Sequence, residues 1–168
     1  GSGGFDFRGS FEATGSQSFR GSGTGDAADY VFAWRSATFT ASADGQSALF
    51  DQVTATFSGT VTVDVDTSTN YAFRFDNDAV VSFGDLSSNA ERLIFEFIDD
   101  DSTLEVTGDV TVAESSEFQV VGDGTLTFAD GSSTTLLDNF ALKVDDGATV
   151  DWKGDVSLGD SDGGSAQL

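Results

Sequence analysis

The residues best supplied for chemistry in this chain are carboxylates. Its 168 residues include 29 Asp plus Glu, by count 23 Asp and 6 Glu. Glycoside hydrolysis needs two acids about 5–10 Å apart, one of them held protonated by an apolar setting. Glu96 and Glu105 instead alternate with apolar neighbours and read as the solvated side of strands. Calcium is the second chemistry to test. Asp64-Val65-Asp66-Thr67-Ser68 opens like a helix-loop-helix calcium loop, but Thr69 stands where the sharp turn needs Gly, and Phe75 where the bidentate Glu belongs. The turn Asp99-Asp100-Asp101 remains the metal candidate, and Asp145-Asp146 is a second oxygen-rich turn. Weak, salt-like cation binding at such acidic turns is expected, and no cofactor is. Gly122-Asp123-Gly124 lacks the rest of a dinucleotide fingerprint and reads as a hairpin turn.

Composition removes further classes. There is no His, so the usual general base, the usual zinc ligand and the Ser-His-Asp triad are missing. There is no Cys, so no disulfide, thiolate metal site or cysteine nucleophile. With 7 Lys plus Arg the formal charge is −22, which opposes binding to nucleic acid or to an anionic membrane surface. No apolar stretch of about 20 residues offers membrane insertion. We therefore expect no catalytic residues and no enzyme. Asp excess joined to near absence of Lys, found only at Lys143 and Lys153, resembles the proteins of extreme halophiles. Salt would screen the self-repulsion of such a chain. The expected setting is extracellular or cell-surface, in an archaeon living in brine. Gly1 in place of Met reads as a processed or engineered start.

The elements that must position these residues are strands. Val53, Ala55, Phe57, Gly59, Val61, Val63 and Val65 alternate with Thr, Ser and Asp, as one long strand or as two joined at Ser58-Gly59. Similar runs include Tyr30-Phe32-Trp34, Ala37-Phe39-Ala41, Tyr71-Phe73-Phe75, Leu93-Phe95-Phe97 and Val150-Trp152. The two Trp, Tyr30 and Tyr71 fall on inward positions and are assigned to the core. Asp-Gly and Gly-Asp pairs punctuate the runs. Ser88-Asn89-Ala90-Glu91 matches a helix-capping box and predicts one or two helical turns.

The expected fold is all-β with minimal helix, a single-domain β-sandwich or jelly roll of about ten strands. A β-solenoid in the C-terminal half is the alternative. It rests on apolar pairs starting at Val110, Leu126, Leu142 and Val156, spaced by 16, 16 and 14 residues. A meander of short strands has the same spacing and is preferred, because the N-terminal half does not keep this period.

Three segments are expected: a Gly/Ser-rich N-terminal segment over 1–24, a β-domain over 25–160 and a C-terminal tail over 161–168. Within the first, Phe5, Phe7, Phe11 and Ala13 share one alternating face, so 5–13 is a candidate donor strand and these four are the subunit-interface candidates. The expected assembly is by addition of this strand to the neighbouring subunit, with Phe5, Phe7 and Phe11 as anchors in its groove, and pairing within the chain is the alternative. The expected function is a structural subunit of an extracellular filament, pilus-like fibre or surface layer, with the chain itself as partner. The alternative is a monomeric secreted binding module or adhesin that recognises carbohydrate or a surface partner.

Overall fold

In the computed structural model, residues 3–21, 26–66, 68–113, 115–136, 140–145 and 147–158 are described, with side chains from Gly9 to Ser157. Every strand pairing among them is parallel, and the chain winds as a three-sided β-solenoid. The first side stacks the N-terminal half of β3 (Tyr30–Ala41), then β5 (Thr54–Phe57), β8 (Val80–Phe83), β11 (Thr103–Val106), β14 (Thr125–Phe128) and β17 (Thr149–Trp152). The second stacks the C-terminal half of β3, then β6 (Val61–Val65), β9 (Leu86–Ser88), β12 (Val110–Val112), β15 (Ser133–Leu136) and β18 (Asp155–Leu158). The third is β2 (Gln17–Arg20), β4 (Gln46–Asp51), β7 (Asn70–Asp76), β10 (Arg92–Phe97), β13 (Glu117–Gly122) and β16 (Ala141–Val144). β1 (Gly3–Thr14) lies along β3 and closes the first level of two sides. Sides one and two have seven levels, side three has six.

This corrects the expected sandwich or jelly roll of about ten strands. Among the described residues eighteen strands run in parallel, which sandwiches and meanders do not allow. Thr54, Val80, Thr103, Thr125 and Thr149 share one column, so a turn takes 22 to 26 residues. The 16-residue echo skips sides: Val110 lies in β12, Leu126 in β14, Leu142 in β16 and Val156 in β18. It counts two sides of a triangle, and a turn has three. The solenoid also extends through the N-terminal half, with β1 and β2 of the segment 1–24 as its first coil. The tail assigned to 161–168 lies outside the described residues.

The local reason is visible along 53–65. Val53, Ala55, Phe57, Val61, Val63 and Val65 are buried, and the chain turns a corner at Ser58-Gly59 between β5 and β6. Backbone approaches so closely there that a Cβ on Gly59 would meet Arg35 O at 2.7 Å, and one on Gly84 would meet Gly59 O at 2.6 Å. Glycine at this corner lets successive turns stack. The predicted helix at 88–91 is absent. Ser88 ends β9, and the Asn89 side chain accepts from Val65 N and donates to Asp64 Oδ1, both at 2.8 Å. The stack below offers Asn89 partners that a helix would forgo. One short 3-10 turn, Ala27–Asp29, is the helical content among the described residues.

In-register parallel stacking places like on like. Phe19, Phe50, Phe75 and Phe97 form one column on the third side, with ring centroids 5.0, 5.8 and 4.8 Å apart and near-parallel planes. Such aromatic pairs contribute about 0.5–1.5 kcal/mol each beyond burial. A second column runs Phe11, Ala37, Val61, Leu86, Val110, Thr134, Val156 through the whole height of the second side.

Candidate functional site

The acidic turns stack along the edge between sides three and one. Asp99 is half-buried, and its carboxylate accepts from Ser102 N at 2.7 Å and from Asp78 N at 3.0 Å. Asp51 accepts from Asn77 Nδ2 at 2.7 Å, and Asp145 from Gln119 Nε2 at 3.2 Å. Asp51, Asp99 and Asp145 therefore each tie their turn to a neighbouring one by a charge-assisted hydrogen bond. Asp100 and Asp101 are exposed beside them. Among the described residues no three acidic groups converge with metal-binding geometry, so Asp99, Asp100 and Asp101 are neighbours without forming a site.

Glu96 and Glu105 are not brought together. Glu96 lies on the third side, 2.6 Å from Arg74 Nε, and Glu105 is exposed on the first. Arg92 and Glu117 make a second cross-level pair at 2.6 Å. Both pairs are half-exposed and contribute little stability, while helping to set which turn stacks on which. Tyr71 is fully buried and its hydroxyl has no partner among the described residues. Burial pushes that phenol above its ordinary range. Tyr30, Trp34 and Trp152 are partly buried against the core.

The interface candidates divide. β1 pairs in parallel with β3 of the same chain, from Gly3 opposite Tyr30 to Thr14 opposite Thr40. Phe11 is half-buried, its ring 5.3 Å from Trp34 and 5.6 Å from Phe39, and Ala13 is buried. Phe5 and Phe7 occupy β1 opposite Phe32 and Trp34, and their side chains lie outside the described residues.

Sequence reading did not single out the two ends of the solenoid. At the C-terminal end, Val144 and Val156 take inward register positions, opposite buried Val120 and Thr134, yet are 44% and 37% exposed. Leu142, Val150 and Trp152 are half-buried there. Ser132 Oγ, Thr134 Oγ1 and Trp152 Nε1 are buried and unpartnered among the described residues, all in the last two levels. At the N-terminal end Phe11 and Phe19 are half-buried, whereas Ala37 above Phe11 and Phe50, Phe75 and Phe97 above Phe19 are closed off. The free edges of β1 and β2 at one end, and of β16, β17 and β18 at the other, carry no strand partner among the described residues. A signal for these ends is present in the chain. Val53-Thr-Ala-Thr-Phe57, Ala79-Val-Val-Ser-Phe83, Ser102-Thr-Leu-Glu-Val106, Gly124-Thr-Leu-Thr-Phe128 and Ala148-Thr-Val-Asp-Trp152 are five copies of one side, and the last lies in the last described level.

The outer surface of the second side is a column of hydroxyls: Thr38, Thr62, Ser87, Thr111, Thr135 and Ser157. No helix among the described residues is long and apolar enough to cross a membrane. Compared with known families, with characterised proteins and with solved structures, the chain matches none.

Proposed function

We propose that this chain is a structural subunit of an extracellular filament, fibre or surface layer, built from copies of itself and adapted to high salt. One observation carries the reading: a parallel stack of strands, paired throughout its described height, whose end strands carry no strand partner among the described residues. Solenoids that work as single molecules need polar caps at their terminal repeats. Unpaired strand edges are templates for another chain. Here the N-terminal strand adds to a neighbour by its free edge, since its other edge is held by β3. A formal charge of −22 keeps the sides of such assemblies apart and hydrated in brine. Electron microscopy of the protein in molar salt tests this: fibres or sheets are expected, and dispersed monomers across protein concentrations overturn it.

One feature favours the second reading, a monomeric binding module. The six-level hydroxyl column presents donors and acceptors at the strand spacing of about 4.8 Å, a repeat suited to an extended polyhydroxylated polymer. Pull-down on insoluble polysaccharides in the same salt separates the two.

A further inference from the structure

We infer that copies meet end to end in a single polarity. The free edge of β1 in one copy pairs in parallel with the free edges of β17 and β18 in the next, in the column register of the prism. The inference rests on the filament reading above and names its interface.

Three observations carry it. The first is continuity of the columns. On the second side, Phe11 begins and Val156 ends the same inward column, and both are incompletely covered. On the first side, Phe5 begins the column that ends at Val150, and Phe7 the one that ends at Trp152. A second copy set down as an eighth level therefore puts an apolar residue on an apolar one at these three register positions of the first and second sides. It also extends each parallel ladder without a change of direction. A two-fold arrangement would run β1 antiparallel to its mate and break the columns.

The second observation is charge. The first coil, through Arg20, carries Arg8 and Arg20 against Asp6 and Glu12 and is net neutral. The remainder of the chain holds the whole −22. The neutral end is therefore the surface that can approach an acidic copy with least repulsion. The C-terminal end in turn holds both lysines of the chain, Lys143 and Lys153. The third observation is incomplete packing. Of the four buried polar side-chain atoms without a partner among the described residues, three lie at the C-terminal end.

Disulfide trapping tests the interface, because the natural chain has no cysteine. Glu12 and Ser157 are exposed and stand at the two ends of the hydroxyl column, Glu12 opposite Thr38 and Ser157 opposite Thr135. Within one copy they are six levels apart, about 29 Å at 4.8 Å per level, beyond the reach of a disulfide. Across the inferred junction they are strand neighbours, within that reach. The double variant Glu12→Cys, Ser157→Cys, assembled in molar salt and oxidised, is expected to give a ladder of covalent oligomers on a non-reducing denaturing gel. Either single variant should give no ladder. Fibres without a ladder overturn the junction and leave the filament reading standing. Efficient dimerisation of Glu12→Cys alone replaces it with a head-to-head contact. Absence of fibres from the natural chain removes both. If the double variant fails to assemble, Val156→Asp decides: loss of fibres with an unchanged circular dichroism spectrum supports the junction, and fibres as abundant as before overturn it.

Discussion

Replacing Thr134 by Val should stabilise this protein. Thr134 is fully buried, at an inward position between Val110 and Val156, and its hydroxyl has no hydrogen-bond partner among the described residues. A buried hydroxyl left unpaired costs about 1–3 kcal/mol. The swap exchanges that hydroxyl for a methyl of similar size, and burying the added carbon contributes up to about 0.8 kcal/mol more. The expected gain is about 1–4 kcal/mol. For a domain of this size each kcal/mol moves Tm by about 2–4 °C, so a rise of roughly 2–16 °C is expected. Thermal unfolding followed by far-UV circular dichroism in molar salt reads it. Thr111→Val, on the exposed face of the neighbouring strand, is the control and should shift stability by less than about 0.5 kcal/mol. An unchanged or lower Tm for Thr134→Val would refute the reasoning. It would mean that the hydroxyl is satisfied in the folded protein and that this level of the core is not dry.

Further outcomes follow from the same geometry. Stability should climb with added NaCl, since the Debye length falls from about 10 Å at 0.1 M to about 3 Å at 1 M and self-repulsion at −22 falls with it; urea midpoints across a salt series measure this. Tyr71→Phe should match or slightly exceed the natural protein at neutral pH. Because burial raises the folded phenol above the unfolded value of about 10, its contribution holds below that value and is lost as pH rises beyond it. Alkaline titration of stability should therefore be shallower for the Phe variant. Gly84→Ala should lower stability by about 1–3 kcal/mol, since its Cβ would press on Gly59 O at 2.6 Å and on the Ser58 backbone at 3.0 Å. Chemical denaturation compares it with Gly45→Ala, where nothing lies within 4 Å and the strain of φ +80° alone should cost about 1–2 kcal/mol.

Much of the local structure was legible in the chain. Alternation placed Phe57, Phe73, Phe95 and Phe97 inside, and all four are fully buried. It also allowed a corner at Ser58-Gly59, where one occurs. The candidate sites were less legible. Asp99 to Asp101 share a turn in sequence, but convergence on a cation depends on how neighbouring turns stack. The exposed ends were missed because Val144 and Val156 alternate like any core residue, and only a count of levels shows that nothing described lies above them.

The sequence by itself determined that the chain is β, which residues face inward, and where it bends. Period-2 alternation and Gly, Asp and Asn at corners act over a few residues and need no knowledge of partners. Only the tertiary structure decided that the strands are parallel, three to a turn, with β1 held by β3. Alternation reads the same in a meander and in a solenoid, whereas the choice of neighbour depends on contacts between residues 22 to 26 apart. Those contacts are rewarded only when like columns, the Phe19 to Phe97 stack and the close-packed Gly59 and Gly84 corner, come into register together. That cooperative register sets the direction of the strands and which strands become neighbours.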